Sequence, residues 1–364
     1  MKDRHTHVPQ ESDLLKSIYK QVEEKLICNK LKFNVILWTK FIFYALLTVL
    51  SYWSLFSIGN ISMFILCFVL FGLAALLFAF NFAHDFTHGT IFRKSKWDNL
   101  GFIIIYTING AHAEAWKERH IKSHHFAPNV ENYDCDLEIS SLIRVIPNSK
   151  YVWFHKFQHI YAPIAYTSYS LFWVFIKDFS ILFTREKSVG FSYQLSFWTQ
   201  KLFYMTYLLV LPIMFSLQDW WIVLAGFLVM HLLQSLFLLF TFFMTHHVEG
   251  VEYPTIDKDG YINTSWVMNQ IKSSNDMYPY SSIANFIFGG FNNHIAHHLF
   301  PHIHHIYYPD LNRILYKILI ENGIKPNQTT YWGGICSHLR LLKRMGMKQP
   351  PTKCLCNGGV MCNL

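Results

Sequence analysis

A chain of 364 residues that is 52% hydrophobic and 18% aromatic but only 15% charged lies far from soluble domains, where about a quarter of residues carry charge. That composition excludes an ordinary water-soluble enzyme and makes the bilayer the natural solvent. The formal net charge of +8 does not point to nucleic acid, because Lys and Arg flank apolar runs instead of clustering between polar segments.

Residues 1–34 form a charged segment in which Lys16, Lys20, Glu23, Glu24 and Lys25 precede the first apolar run, so a cleaved secretory signal is not expected. Four runs follow that can cross a bilayer, which needs about 20 helical residues. They cover 36–57, 62–83, 202–217 and 220–244, the third being the shortest and carrying Pro212. The turns Ser57–Asn60 and Gln218–Asp219 hold no Lys or Arg, whereas Lys2, Arg4, Lys16, Lys20, Lys25, Lys30 and Lys32 precede the first run. The N-terminus is therefore expected in the cytoplasm. Lys40, a short way into the first run, is expected to snorkel to the interface along its aliphatic stem.

The expected fold class is an all-α membrane protein with four transmembrane helices in two hairpins. Residues 84–200 and 245–364 then form a cytoplasmic, histidine-rich cap, and the polar-broken run 164–183 forms interfacial helices. Residues 35–345 make up the main domain, and the tail 346–364 frays. Seven scattered cysteines give no disulfide framework and read as reduced thiols. Cys354, Cys356 and Cys362 in the tail lack a fourth ligand for a metal.

Twenty histidines matter through their arrangement. His84-Asp85-Phe86-Thr87-His88 places two imidazoles one helical turn apart, close enough to grip one ion. Alone, such a pair is equally well explained as interfacial polar residues. His120-Ile121-Lys122-Ser123-His124-His125 repeats the spacing and adds a ring that reaches toward a neighbouring ion. Lys117, Glu118, Arg119 and Lys122 also allow the plainer reading of a solvated helix face. His294-Ile295-Ala296-His297-His298 converges three more rings, and His246-His247 ends the fourth run. Hydropathy and Lys/Arg bias thus put all four sites on one side of the membrane.

Imidazole-only clusters suit iron, copper, zinc or nickel, while structural zinc generally recruits thiolates, which these clusters lack. Eight or nine imidazoles exceed one ion's capacity, so two metals are expected. For an apolar substrate, iron that uses dioxygen is the best fit. Asp85, Glu114, Asp134, Asp136 and Glu249 are the carboxylates available to fix the other ring N–H of each ligand. A histidine-lined transport path would need ligands inside the spans, where only His231 lies.

The boxes HDFTH, HIKSHH and HIAHH, in that order across about residues 60–315, resemble the membrane fatty acid desaturase family, specifically its bacterial branch related to acyl-CoA and front-end (delta-5/delta-6 type) desaturases. His246-His247-Val248-Glu249-Gly250 resembles the family's extra histidine after the last span. His297-His298-Leu299-Phe300-Pro301 with Tyr307-Tyr308-Pro309 resembles the stretch around its third box. The resemblance implies nine ligands, namely His84, His88, His120, His124, His125, His246, His294, His297 and His298, with His247 as the alternative to His246.

It further implies a non-haem diiron centre of two iron ions and O2 as co-substrate, with no catalytic side chain beyond the metal centre. The implied product is a cis double bond in a fatty acyl chain carried as acyl-CoA or acyl-lipid. A hydroxylase or ketolase shares the same boxes and is the alternative reading. Front-end members usually carry Gln where this chain has His294, and no haem-binding HPGG motif occurs. Electrons are therefore expected from a separate ferredoxin or cytochrome b5-type donor, and membrane lipids are the remaining partners. Trp116, Phe126, Trp266 and Phe291 are aromatic candidates for the wall of a substrate tunnel. His112, His155, His159, His302, His304 and His305 read as interfacial or supporting residues.

Overall fold

The computed structural model describes residues 4–26, 30–137, 141–146, 149–184 and 190–348. The tail cysteines Cys354, Cys356 and Cys362 lie outside the described residues. Among these, the regular structure is helical apart from one short parallel pair, Asp276–Met277 with Gln328–Thr329, and two isolated bridges at Ile262. An all-helical build is what apolar segments require, since helices satisfy their backbone groups internally where water is scarce.

Helix α1 (Pro9–Leu26) is amphipathic and buries Ile18 and Val22 in a cluster with Leu311 and Leu315. Helices α2 (Lys30–Ser54) and α3 (Ile61–Phe78) form the first hairpin, and the Asn60 side chain caps α3 by accepting the Met63 N–H at 3.1 Å. The helix does not stop at Phe78. It runs through a π-helical turn, Ala79–Ala83, into His84–Thr87. Helix α4 (Ser95–Ile108) returns beside it, and α5 (Ala113–Arg119) leads into a second π-helical turn, His120–His124. Such turns shift the side-chain register and recur at functional sites.

The stretch read as interfacial contains α6 (Gln158–Tyr166), Tyr169–Phe172, a π-helical turn Trp173–Lys177 and Asp178–Thr184. Tyr166, Ser170, Val174, Asp178 and Leu182 face inward, whereas Ile160, Ile164, Ile176 and Phe183 are exposed. An exposed apolar face of this kind suits contact with lipid.

Three helices combine the length and apolarity of a membrane span among the described residues: Leu31–Ser54, Ile61–Thr87 and Trp220–His246. The last is α8. The run expected at 202–217 belongs to a longer helix, α7 (Phe191–Met205), continued through Thr206–Val210 into Leu211–Phe215. Its first half is diluted by Gln194, Ser196, Thr199, Gln200 and Lys201, which is why it falls short in apolarity. Pro212 sits in the first turn of the final piece, where a missing N–H costs little.

Helices α3 and α8 pack closely through small residues. A Cβ on Gly226 would stand 2.6 Å from the Phe68 ring, and one on Gly72 would overlap Met230. Beyond α8 the chain folds over the ends of these helices as α9 (Ser282–Phe288), α10 (His294–Leu299), α11 (Tyr308–Glu321) and α12 (Tyr331–Met345). Gly289 makes the approach possible. Its φ is +60°, and an added Cβ would lie 2.6 Å from the Asn81 Cα.

Lys40 does not snorkel to the interface. Only 1% exposed, it donates to the Asn285 carbonyl at 3.0 Å and to His305 Nε2 at 2.8 Å. The folded-over segment brings these acceptors within reach, so the ammonium is satisfied inside the protein.

Candidate metal centre

Eight of the nine sequence-selected histidines converge into two groups of four. His84, His88, His120 and His297 form one; His124, His246, His294 and His298 form the other, and within each the nearest ring nitrogens lie within 4.8 Å of one another. His120, His124 and Asp136 make an overlapping trio. His125 lies between the groups, with ring centroids 4.7 Å from His88 and 4.6 Å from both His297 and His298.

The boxes do not map one to an ion. His120 and His124, read as a pair one turn apart, go to different groups of four, and the turn between them is π-helical rather than regular helix. In α10, His297 points to the first group while His294 and His298 join the second. Both histidines of the first box stay together.

Ring nitrogens crowd in a way that suits shared ions. His88 Nε2 and His125 Nε2 lie 3.2 and 3.1 Å from His120 Nε2, and His294 Nε2 and His298 Nε2 lie 2.7 and 3.2 Å from His246 Nε2. Two imidazoles bound to one ion at about 2.1 Å are separated by about 3 Å at right-angled coordination. His84 Nε2, His124 Nε2 and His297 Nε2 are buried without a hydrogen-bond partner. Orphaned buried acceptors of this type cost roughly 1–3 kcal/mol each unless something binds them. The donor set fits two metal ions.

Neighbours fix several rings from behind. His124 Nδ1 donates to Asp134 at 3.0 Å, and Asp134 also accepts the Asn129 and Asp136 N–H groups at 2.9 Å each. His246 Nδ1 donates to the Ser273 carbonyl at 2.7 Å, His298 Nδ1 meets Gln270 Oε1 at 2.8 Å, and His297 Nδ1 meets the Tyr308 hydroxyl at 3.4 Å. Sequence reasoning missed Gln270, Ser273 and Tyr308, which are neutral or act through the backbone. Asp134, one of the carboxylates selected from the sequence, stands at the His124 ring.

The other selected carboxylates differ in place: Asp136 borders the groups, and Asp85 and Glu249 face other partners. Asp136 lies 3.9 Å from His124 and 3.6 Å from Arg119. Asp85 faces away from its own box and accepts from His305 Nδ1 at 2.7 Å. Glu249 pairs with Arg340 at 2.7 Å and touches no histidine of the groups. His247 turns to Tyr253 at 3.0 Å, and its carbonyl accepts from His338 at 2.7 Å. His231 of α8 is hydrogen-bonded to Ser170 and to Tyr204 of α7, at 2.7 and 2.8 Å, as a packed polar knot between helices.

Burial, helped by the Lys117 charge, holds the His88 imidazole down at about 3. Burial and mutual repulsion keep His120, His125, His294, His297 and His298 far below the ordinary value as well. These rings are neutral, the form that binds cations. For His124, burial presses the pKa down but the Asp134 carboxylate overrides it and lifts it.

A cavity of about 130 Å3 adjoins the first group and is walled by Leu76, Ala79, Phe80, Trp116, Leu238, Phe242 and Phe291, with His84 and His120 at one side. Asn109, Ser170 and Gln234 give it a few polar points. Of the aromatic candidates for such a wall, Trp116 and Phe291 line it. Phe126 packs on Ala127, Val130 and Ile262, and Trp266 on the cluster under α1.

The profile of the fatty acid desaturase family matches residues 59–330. An acyl-lipid (8-3)-desaturase of the moss Physcomitrium patens is 29% identical over 278 residues, covering 73% of this chain and 57% of that protein. An sn-1 linoleoyl-lipid 6-desaturase of Arthrospira platensis is 28% identical over 79% of each chain. Acyl-lipid (8-3)-desaturase B of Dictyostelium discoideum is 30% identical over 83% of this chain and 68% of its own length. Histidine boxes gathered beside an apolar cavity, and a profile match across most of the chain, make this protein a member of the fatty acid desaturase family.

Proposed function

We propose that the protein is an O2-dependent fatty acyl desaturase with two irons held by its two histidine groups. The observation that carries this reading is the convergence of eight neutral or carboxylate-backed imidazoles beside an apolar cavity. His84, His88, His120 and His297 would hold one ion and His124, His246, His294 and His298 the other, with His125 available to either. When bound, the irons supply the reduction of O2 by two electrons and the oxidising power that removes two hydrogens from adjacent methylenes. The balance is one acyl chain, O2, two electrons and two protons giving one cis alkene and two waters.

The chain's own residues position and exclude. Phe80, Trp116, Phe242 and Phe291 present an acyl segment to the first group and keep water from it, so a single pair of carbons is exposed to oxidation. The names of its relatives support an acyl-lipid substrate. His294, in place of the Gln usual among front-end members, makes the position of the new bond the point to measure.

In the same reading, residues 35–345 are the catalytic unit, α2, α3, α7 with its continuation, and α8 are four spans, and the histidine groups face the cytoplasm. The Lys/Arg-free outer turns and the basic N-terminal segment support this orientation. A separate ferredoxin or cytochrome b5-type protein supplies the electrons, drawn by the basic cytoplasmic surface. Expression in a host with a simple lipid profile, followed by double-bond localisation, tests the reading. A new cis bond at a fixed position supports it, and oxygenated lipids without new double bonds would establish a hydroxylase instead.

A further inference from the structure

A second cavity, of about 520 Å3, opens between α1 and the loops that follow the first and third boxes. It shares no lining residue with the acyl cavity. Tyr19 and Glu23 of α1 form one wall; Arg93, Phe300, His304 and Tyr307 face them.

Four features of this cavity bear on what it can hold, and in two of them the charged group, Arg93 or Glu23, is exposed at the mouth. Arg93 is held at φ +55°, a conformation that costs a non-glycine residue about 1–3 kcal/mol and persists where function demands it. Its guanidinium has no hydrogen bond or ion pair among the described residues, although it lies close enough for its charge to act on His302, His304 and Tyr307. Glu23, across the cavity, is exposed, makes no hydrogen bond or ion pair among the described residues, and its charge also acts on His302. His304 is only 7% exposed, yet its Nδ1 has no hydrogen-bond partner.

Opposite charges that line one cavity without pairing are complementary to a ligand carrying both signs. A purely anionic ligand would be repelled by Glu23, and a purely cationic one by Arg93. Exposed aromatic residues of the kind found at membrane interfaces stand beside the mouth: Phe92 and Trp97 flank Arg93, and Phe92 packs 5.6 Å from Trp38 of α2. Tyr19 has its hydroxyl tied to the Leu299 carbonyl at 2.9 Å and stands 5.0 Å from the Phe300 ring, which makes a rigid aromatic wall next to Glu23.

We propose that this cavity binds the headgroup of a zwitterionic phospholipid, with the phosphate on Arg93 and His304 Nδ1–H and the ammonium between Glu23 and the Tyr19 ring. Arg suits a phosphate through its forked donors, and an aromatic face beside a carboxylate suits an alkylammonium. The site is separate from the acyl cavity, so it anchors a lipid of the surrounding membrane next to the metal groups.

The test uses the full chain in a maltoside detergent, in phosphate-free buffer, titrated calorimetrically with dihexanoylphosphatidylcholine below its micellar concentration. Saturable binding is expected, weakened about tenfold or more by Arg93→Gly and by Glu23→Gln, as loss of a charge-assisted contact implies. Against dihexanoylphosphatidate, Arg93→Gly weakens binding while Glu23→Gln strengthens it. Arg93→Gly is also expected to melt no lower than the parent without lipid, because glycine accepts the φ of +55°. Equal affinity of both variants and the parent for the choline lipid overturns the site. So does tighter binding of phosphatidate than of the choline lipid to the parent, or full competition by inorganic phosphate, which would mark a plain anion site. Binding is read without turnover, so the outcome does not depend on the desaturase reading.

Discussion

Lys40 donates to His305 Nε2 at 2.8 Å although 265 positions separate them in sequence. His305 in turn donates from Nδ1 to Asp85 at 2.7 Å, and the Asn285 side chain donates to the His305 carbonyl at 2.9 Å. Asn293 donates to Asn285 at 3.0 Å, Asn312 to Asn293 at 2.8 Å, and Asp276 accepts the Ile295 N–H inside the third box at 2.9 Å and lies within 3.5 Å of Asn312. A cation in α2, the carboxylate of the first box and the backbone of the third box thus share one buried network. Lys40→Met leaves His305 Nε2 and the Asn285 carbonyl without their buried donor and should cost about 1–3 kcal/mol, the scale for orphaning a buried acceptor. Combining it with Asp85→Asn should cost less than the sum of the two single changes. Thermal unfolding of the four proteins in detergent checks this, and strict additivity would refute the coupling.

His246 and His247 are neighbours with opposite surroundings. His246 Nε2 faces His294 and His298, whereas His247 is occupied by Tyr253 and, through its carbonyl, His338. His246→Ala should lower iron to about one ion or less per chain and abolish desaturation. His247→Ala should keep both irons and most activity while lowering stability by about 2 kcal/mol, the scale of a lost buried ring. Iron analysis of the purified variants decides the matter.

Gly289 lets the lead into the third box lie on the backbone of Phe80 and Asn81. Gly289→Ala adds a methyl that must displace main chain, at a φ of +60° unsuited to alanine. A loss of several kcal/mol is expected, since backbone here cannot yield as a flexible side chain would. Gly323→Ala, also at positive φ (+73°) but with open space around it, should cost only about 1 kcal/mol. Comparative melting temperatures measure the difference.

The histidine boxes and the long helices were legible because each is a local pattern: spacing for the boxes, continuous apolarity for α2, α3 and α8. Division of the imidazoles into two groups was not. The second and third boxes each send rings to both groups within one short helical stretch, in the π-helical turn His120–His124 and in regular helix at His294–Leu299, and spacing alone does not show which ring goes where. Lys40 was misread for a related reason, since its acceptors Asn285 and His305 are remote in sequence. The partners of His298 and His246 escaped because an amide side chain and a backbone carbonyl carry no charge to draw the eye. Helix α7 shows the reverse case: its apolar end was evident, and the polar first half became part of the same helix only in three dimensions.

Asp134 and Gln270 orient His124 and His298 of the second group from behind. Asp134→Asn and Gln270→Leu should each weaken metal affinity by about 10- to 100-fold, as loss of such partners does elsewhere. Glu249→Gln, by contrast, should leave metal affinity unchanged, because Glu249 meets Arg340 and Ser337 instead. Chelator competition on the reconstituted protein reads all three.

Acid should destabilise the metal-free protein, and the sign follows from the buried imidazoles. Burial holds His247 at about 3 and His338 at about 4, against 6.5 for an exposed imidazole. Their folded pKa values are depressed, so below pH 6.5 the unfolded chain takes up protons that the folded chain refuses. The stability these groups contribute is complete above about pH 6.5 and is lost progressively as pH falls toward 4 and then 3. A depression of about 2.5 units corresponds to roughly 3 kcal/mol for one fully buried ring. Asp276 acts in the opposite sense: burial lifts it to about 7, so it favours the folded state as pH falls from 7 to 3.8. The depressed imidazoles outnumber Asp276 and the raised groups His124 and Asp178, since His88, His120, His125, His294, His297, His298 and His304 are depressed as well. Melting temperature of chelator-treated protein should therefore fall steadily from pH 6.5 to 4, and His338→Gln should flatten that slope. A melting temperature that is constant or rises over this range would show that the rings are not held neutral by burial.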